Sequence, residues 1–429
     1  EWQRTINFYH EIYEYRLPLA KYPEYFEQVP VDPELAVNDD PEEEVCHWTP
    51  QPPTAELAEA AVPEAESPPQ QEMRWQLNES ELAGFFAEYV EPKVERAPQD
   101  VRIYRDDAGK IAFEGAAYYG KEVDVAQAIS LVQTALDEGI ERIELPVTLT
   151  QPQFTVEDPE LQDLGIKEIV SVGESDFTGS SWARMQNIEV GANRFNGLLI
   201  RPDEVASFND NLGAVTAANG YLPELVIIGP KLEKEYGGGL CQVSSTAFRA
   251  ALLAGLPIVE RHPHSFAVSY YAPWGTDATI YPGHKDLRFQ NDTQGAILVQ
   301  TTMDRENKKL RFHFYGTADD RKVKLFGPEI GRRVGPLPSR SETSTSLAPG
   351  ETQWLSRAVE GFDAMWRRVV IPPSTSVAEG TATPTPEAVA ETEEQKNRRL
   401  VYEFFSRYQP RANWTVTGVS AEAGEESSS

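Results

Sequence analysis

The residues best suited to chemistry lie in a glycine-rich run at positions 236–246, YGGGLCQVSST. Its three glycines tolerate positive φ angles and let a ligand approach the backbone closely. A helical apolar pattern follows over Val243–Leu253 and ends at Gly255, which predicts that Cys241 lies at a helix N-terminus. Free amides and the helix dipole there favour a thiolate and would stabilise a developing oxyanion. The run is therefore typical of a cysteine nucleophile.

A nucleophilic cysteine needs a base, and four of the six histidines fall in the central part of the sequence: His262, His264, His284 and His313. The run ERHPHS at positions 260–265 follows the predicted helix and precedes a predicted strand, Phe266–Tyr271. Such a strand would bring His262 or His264 back towards Cys241. Asp277 would then orient the imidazole, or a substrate amine. The pattern predicts a Cys–His pair with a third orienting group.

Three other interpretations of the same residues stay open. A lone cysteine is often a small buried hydrophobe. Cys241 with His262, His264 and His284 would also suit a zinc site, although a proline between the first two histidines makes adjacent ligation awkward. A phosphate-binding loop is disfavoured, because the glycine run lacks the Lys-Ser/Thr pair of that motif. By residue type alone, Asp277 and Asp286 are more typical of turn or capping residues than of catalysts.

Elements around this motif follow from periodicity and capping signals. A helical apolar pattern covers Leu82–Val90, and Asp124 with Gln127 forms a capping box for a helix that Gly139 ends. The predicted strands are Val101–Arg105 paired with Lys110–Gly115, Ile143–Leu149, and two towards the end of the chain over residues 361–372 and 399–416. Together these elements predict a multi-domain protein of the α+β class.

Charge is unevenly distributed along the 429 residues, which contain 39 Lys and Arg against 68 Asp and Glu, a net charge of −29. Residues 1–70 hold 16 acidic and 3 basic residues, whereas residues 180–316 hold 13 of each. The acidic excess argues against nucleic acid or an anionic membrane surface as a partner. No apolar run reaches the roughly 18 residues that a membrane span needs.

Composition divides the chain further. Residues 1–72 are expected to be an acidic, proline-rich linker or the end of an upstream element, with a disordered spacer at 33–70. Residues 318–347 are interpreted as a connector, and residues 348–420 as a C-terminal β element with a mobile loop at 373–396. Residues 421–429 are expected to be a disordered tail. Because the chain begins at Glu1 rather than Met, we expect a processed or truncated start.

From about Arg184 to Gly316 the sequence resembles the VanW family, which places a VanW domain at residues 176–317. The motifs that carry the resemblance occur in the family's order: RMQNI at 184–188, NG at 196–197, SFN at 207–209, LG at 212–213, NGY at 219–221, the run at 237–246, Arg261 with HS at 264–265, VSY at 268–270, DAT at 277–279 and DLRFQN at 286–291. Residues 73–170 resemble the YoaR-like peptidoglycan-binding module that precedes many VanW domains. This resemblance rests on the order of the predicted elements and on composition rather than on signature residues.

The family resemblance implies a bacterial cell-wall protein, and some VanW domains are regarded as cysteine L,D-transpeptidases. In that chemistry Cys241 would form a thioester with a peptidoglycan stem, His264 would be the base because its His-Ser context matches the family, and Asp277 would be the third catalytic residue. The predicted substrate-binding residues are Gly238, Gly239, Gln242, Ser244, Arg261 and Tyr270. A non-catalytic peptidoglycan-binding or resistance-accessory protein is the alternative.

The same resemblance sets the remaining expectations. The expected partners are peptidoglycan stem peptides, with no metal, cofactor or nucleic acid. Membrane contact is expected only through an anchor preceding Glu1. The protein is expected to be an extracellular or wall-associated monomer. The two cysteines, Cys46 and Cys241, lie in unrelated contexts, so no disulfide framework is expected.

Overall fold

The computed structural model describes residues 5–21, 23–30, 73–228, 231–371 and 400–420. Cys46, the predicted spacer at 33–70, the loop at 373–396 and the tail at 421–429 lie outside these described residues. The strands are β1 (Thr5–His10), β2 (Tyr13–Pro18), β3 (Phe26–Pro30), β4 (Met73–Leu77), β5 (Gln99–Arg105), β6 (Ile111–Tyr118), β7 (Gly120–Val123), β8 (Arg142–Glu144), β9 (Val147–Thr150), β10 (Phe154–Val156), β11 (Glu168–Asp176), β12 (Leu199–Ile200), β13 (Val205–Ser207), β14 (Pro223–Ile228), β15 (Lys231–Tyr236), β16 (Ile258–Glu260), β17 (Arg288–Gln290), β18 (Ile297–Asp304), β19 (Lys309–Gly316), β20 (Lys322–Val334), β21 (Arg340–Ser344), β22 (Thr352–Ser356), β23 (Gly361–Ile371), β24 (Leu400–Tyr408) and β25 (Trp414–Gly418).

Helices are fewer than strands in the described part of the chain, and the mixture of the two confirms the predicted α+β class. They are α1 (Glu79–Phe85), α2 (Glu91–Val94), α3 (Val125–Glu138), α4 (Pro159–Asp163), α5 (Trp182–Asn193), α6 (Phe208–Leu212) and α7 (Leu240–Leu253), with a π-helical turn at Phe86–Val90 and 3₁₀ turns at Leu19–Lys21, Pro23–Tyr25, Ala217–Asn219 and Ser269–Tyr271.

The chain forms two compact units. The first comprises Glu1–Tyr9, Glu14–Glu95 and Val123–Val147, and the second comprises His10–Tyr13, Arg96–Glu122 and Thr148–Ser429. The predicted module at 73–170 does not coincide with either unit, because its hairpin β5–β6 pairs with β10 and lies in the second.

The first unit is built around α3 and the segment α1–α2. The carboxylate of Asp124 accepts the Gln127 amide at 2.9 Å, and Gly139 ends α3 with φ 75°, so both predicted helix boundaries are confirmed. β1 pairs in parallel with β8 through Asn7–Tyr9, so this N-terminal strand is part of the unit's sheet. Phe8 on β1 packs edge-on against Phe86, with ring centroids 5.1 Å apart.

The second unit contains the predicted VanW segment, in which α7 packs on a four-stranded sheet of order β11-β19-β18-β12. The two layers approach closely at Gly173 of β11, where an added Cβ would lie 2.2 Å from the carbonyl oxygen of Thr246. Most of α7 is buried in the main hydrophobic core. This burial fixes the orientation of α7 and therefore the position of Cys241 in its first turn.

Three predicted elements differ from the structure. The single strand Ile143–Leu149 is two strands, β8 and β9. The connector at 318–347 is wrong, because β20 and β21 occupy it and pair with β23 and β25. The last predicted strand, at 399–416, is interrupted between β24 and β25. The sequence of β20 alternates between polar and apolar residues, as a strand does. Its charged residues and its proline led to the interpretation as a connector.

Candidate active site

The glycine run forms a tight loop that places Cys241 in the first turn of α7. Gly239 is the residue before the helix and has φ 112°, a conformation that side chains disfavour. A Cβ added to it would lie 3.0 Å from Cγ1 of Ile188 and 3.1 Å from Cγ of Arg184, so glycine is required on steric grounds as well. The Asn187 side chain donates to the carbonyl of Gly238 at 3.1 Å and fixes the loop.

Two hydroxyl groups attach the first turns of α7 to the segment 277–280. Ser244 Oγ donates to the Ala278 carbonyl at 2.6 Å. Ser245 Oγ donates to the Cys241 carbonyl at 2.6 Å and accepts the Ala278 amide at 2.9 Å. The Cys241 thiol itself lies 3.8 Å from the carbonyl oxygen of Ile280, as a donor in a weak hydrogen bond. The cysteine and the segment that carries Asp277 are therefore held together.

His264 is positioned by Asp277. Oδ2 of Asp277 lies 2.6 Å from Nδ1 of His264 and accepts the backbone amide of the same residue at 2.7 Å. The His264 ring stacks on Tyr271 with centroids 4.1 Å apart and planes 14° from parallel. Because Asp277 engages Nδ1, the other ring nitrogen is available to the sulfur, which is the arrangement of a Cys–His–Asp triad.

Asp277 is fully buried and accepts hydrogen bonds from three other residues, His264, Arg261 and Tyr408. Its Oδ1 accepts from Nη2 of Arg261 at 3.1 Å and from the hydroxyl of Tyr408 at 2.6 Å. Burial alone would raise the pKa of this carboxyl group, but His264, Arg261 and the Tyr408 hydroxyl together hold it well below its usual range. Asp277 therefore remains an anion beside the imidazole.

The negative charge on the Cys241 sulfur and the positive charge on the His264 imidazole stabilise each other. Burial would lower the pKa of His264, but hydrogen bonds and charge from Asp277 and Cys241 raise it to about 9. Burial would raise the pKa of the Cys241 thiol, but the hydrogen bond and positive charge of His264 bring it below its ordinary value. These directions favour a thiolate–imidazolium pair at neutral pH.

The second candidate base, His262, has a different environment. Its Nε2 lies 3.0 Å from a carboxylate oxygen of Glu260, and more than a third of its side chain is exposed. The predicted strand Phe266–Tyr271, which was expected to return the histidines to the helix, is wrong. Its end is a 3₁₀ turn whose carbonyls, at Tyr271 and Ala272, accept from the buried guanidinium of Arg249.

Several predicted substrate-binding side chains are engaged by the protein itself. Gln242 is fully buried, and its amide group donates to Ser175 Oγ at 3.1 Å and to the Asp176 carbonyl at 2.8 Å. Ser244 is equally buried and bonds the segment after Asp277. Arg261 donates to the Gly275 carbonyl as well as to Asp277. The structure gives these three side chains a role in positioning the site rather than in contacting a ligand.

Of the other predicted binding residues, Gly238 is buried, whereas Gly239 and Tyr270 are partly exposed. Gly238 and Gly239 form the loop before Cys241, and the half-buried ring of Tyr270 covers the guanidinium of Arg184, whose Cζ is 4.1 Å from the ring centroid. Among the described residues, no group of three or more His, Cys, Asp and Glu side chains is arranged to hold a metal ion. Within the same part of the chain, the helices are too short or too polar to cross a membrane.

Sequence reasoning missed two residues of the site. Tyr408 lies on β24, 131 positions after Asp277, and nothing in its local sequence points to the triad. Arg184 was noted only as part of a motif, yet its Nη1 donates at 2.7 Å to Oε1 of Gln242, the neighbour of the cysteine. The only sequence signal for Arg184 was its place in the motif at 184–188.

Comparisons with known proteins place this site within a matched region. Residues 183–315 match the family model described as VanW like protein. Over 124 residues, 29% of this chain and 41% of the relative, the chain is 40% identical to Bacillus subtilis "Uncharacterized protein YoaR". Over 125 residues, 28% of this chain and 45% of the relative, it is 34% identical to the Enterococcus faecalis "Vancomycin B-type resistance protein VanW".

The chain thus spans less than half the length of either of these curated relatives. The matched family range lies inside the predicted domain at 176–317 and contains Cys241, His264 and Asp277, but not Tyr408. The resemblance of residues 73–170 to a peptidoglycan-binding module stays a prediction, because the family match begins at residue 183.

Proposed function

We propose that this chain, whose residues 183–315 match the family model described as VanW like protein, acts on bacterial peptidoglycan as a cysteine L,D-transpeptidase. The observation that carries the proposal is that the buried Asp277 bonds Nδ1 of His264, and that the hydrogen bond and charge of His264 lower the pKa of Cys241. The name of one relative, a vancomycin resistance protein, supports a role at the cell wall.

In the first step the Cys241 thiolate attacks the carbonyl carbon between the third residue and the terminal D-Ala of a stem tetrapeptide. The sulfur–carbon bond forms, and the carbon–nitrogen bond then breaks. The His264 imidazolium gives its proton to the leaving nitrogen, so D-Ala leaves with an uncharged amine and a thioester remains on Cys241. The raised pKa of His264, about 9, keeps that proton available at neutral pH.

In the second step a side-chain amine of a neighbouring stem attacks the thioester carbon. His264 takes a proton from the amine, the new amide bond forms and the thiolate leaves, which gives a 3→3 cross-link. A thioester reacts well with amines, so two moderate barriers replace one difficult exchange between amides. No cofactor is needed in this sequence.

The backbone supplies the oxyanion donor. The family resemblance implies an oxyanion site formed by backbone amides from Gly239 to Gln242, but the Leu240 and Gln242 amides donate to the carbonyls of Gly237 and Gly239, each at 3.0 Å. Of the remaining two amides, we assign that of Cys241, on the nucleophile itself, as the donor to the tetrahedral oxyanion. One such donor typically contributes about 10²–10³-fold to the rate.

The proposal implies that the protein works outside the cytoplasmic membrane, where the stems are, and that one chain contains the whole site. The test is incubation of the purified protein with tetrapeptide muropeptides, followed by mass spectrometry of the products. The protein and its Cys46→Ala variant should form 3→3 dimers, and Cys241→Ala should form none. Dimer formation by Cys241→Ala would eliminate the proposal and leave a non-catalytic wall-binding protein as the alternative.

A further inference from the structure

Arg184 occupies an unusual place for a cation. It is the third residue of α5, where the Ser181 side chain caps the helix by accepting the Arg184 amide. The positive end of a helix dipole disfavours a basic residue. Arg184 also retains only 9% of its accessible surface, so the charge is largely removed from water. A structural role alone explains neither cost.

Every described partner of this guanidinium is neutral. Nη1 donates to Ser180 Oγ and to Gln242 Oε1, both at 2.7 Å. The group also lies near the hydroxyl of Tyr271, where its charge and hydrogen bond oppose the rise in pKa that burial causes. Among the described residues no carboxylate forms an ion pair with Arg184. A buried cation without a counter-charge is unfavourable unless a ligand supplies one.

These partners place the guanidinium beside the reacting groups. Gln242 directly follows the nucleophile, and Tyr271 stacks on His264. The ring of Tyr270 covers one face of the guanidinium. Because Nη1 is engaged by Ser180 and Gln242, a planar acceptor would bind at the edge that carries Nε and Nη2. The thiolate does not need this charge, because His264 already lowers the pKa of Cys241.

We infer that Arg184 binds the terminal carboxylate of the departing D-amino acid, which restricts the site to stems with a free C-terminus. The inference rests on the proposed function and names its substrate class. Arginine binds a carboxylate through two parallel N–H···O bonds. A carboxylate one residue beyond the scissile carbonyl would neutralise Arg184 while the carbonyl faces Cys241. An internal peptide bond would leave the cation unpaired.

The test separates binding from chemistry by using a Cys241→Ala background. Two probes are compared by calorimetry: a stem tetrapeptide ending in D-Ala with a free carboxylate, and the same peptide with a C-terminal amide. The background protein should bind the acid about 10- to 100-fold more tightly than the amide, the range expected for a hydrogen bond to a charged group. With Arg184→Gln added, the protein should bind the acid and the amide with about equal affinity.

Two further variants guard against loss of structure. Adding Arg184→Lys keeps the charge but loses the planar fork, so its preference should fall between the other two. Adding Arg201→Gln changes an exposed arginine of the same domain and should retain the full preference. Equal preference for the acid in the Arg184→Gln, Arg184→Lys and background proteins would overturn the inference.

The outcome is independent of the proposed reaction. A preference for the acid that disappears in Arg184→Gln supports the carboxylate site even if the unmodified protein forms no thioester. Thioester formation with equal affinity for acid and amide would uphold the reaction and reject the role of Arg184.

Discussion

The hydroxyl of Tyr408 donates a 2.6 Å hydrogen bond to Oδ1 of Asp277, and the amide of Gly275 donates to the same hydroxyl oxygen at 2.8 Å. Tyr408 ends β24, beyond the region that matches the family model, whereas Asp277 lies within it. Arg261 strengthens the connection, because Nη2 also donates to Ser406 Oγ at 2.9 Å. The C-terminal sheet is therefore part of the structure that orients the triad.

Tyr408→Phe removes one donor to a buried carboxylate and leaves the ring in place. We expect acylation by a stem tetrapeptide to slow by about tenfold or more, because a hydrogen bond to a buried charge is worth about 1.5–3 kcal/mol. Rapid-quench kinetics would measure the rate. Tyr402→Phe, on the same strand and without a described contact to Asp277, is the matched control and should react like the unmodified protein. An unchanged rate in Tyr408→Phe would refute the orienting role.

The thiolate–imidazolium pair predicts a bell-shaped dependence of acylation on pH. The Cys241 pKa is lowered by His264, so the thiolate forms below the ordinary thiol range and activity rises there with increasing pH. The His264 pKa is raised to about 9, so the imidazolium that protonates the leaving amine is lost as pH rises through that value. The quantity to measure is kcat/KM between pH 5 and pH 10. The two apparent pKa values of the bell belong to the coupled Cys241–His264 pair rather than to either residue alone. Activity that keeps rising above pH 9 would contradict this assignment.

Replacing either histidine separates the two candidate bases. In a Cys46→Ala background Cys241 is the single thiol, and its alkylation by iodoacetamide reports the thiolate fraction. His264→Ala removes the cation that lowers the thiol pKa, while burial, which raises it, remains. The alkylation rate at pH 7 should fall at least about tenfold. His262→Ala should leave it unchanged, and the reverse result would make His262 the partner of the sulfur.

Gly239→Ala tests whether the loop before the helix is built for glycine. The substitution requires a side chain at φ 112° and places Cβ about 3 Å from Ile188 and Arg184. Gly283→Ala is the matched control, because Gly283 has φ 80° with no atom within 4 Å of the added Cβ. Urea unfolding should show a loss for Gly239→Ala that exceeds the control by about 1 kcal/mol or more. Equal losses would mean that only the backbone angle matters.

Local signals predicted part of this structure. The limits of α3 and the start of α7 followed from capping residues and glycines, which act over a few positions. The residue pattern alone indicated Asp277, but the choice of His264 over His262 came from the family motif, since spacing left both histidines eligible.

Long-range contacts explain what the sequence did not reveal. The segment Phe266–Tyr271 has an apolar, strand-like composition, but it ends in a 3₁₀ turn whose Tyr271 carbonyl accepts from the side chain of Arg249. The contribution of Tyr408 depends on a contact across 131 positions. Burial of Gln242 and Ser244 follows from the close packing of α7 on β11, which no local pattern encodes.

The most direct measurement of the central claim is the intact mass of the protein after brief incubation with a stem tetrapeptide and an acid quench. The account predicts a mass increase equal to the stem tripeptide acyl group, located on Cys241 by peptide mapping and released by hydroxylamine. The same adduct should form in Cys46→Ala and be absent from Cys241→Ala. A protein that stays unmodified while its Cys241 is alkylated rapidly at neutral pH, or an adduct that persists in Cys241→Ala, would contradict it.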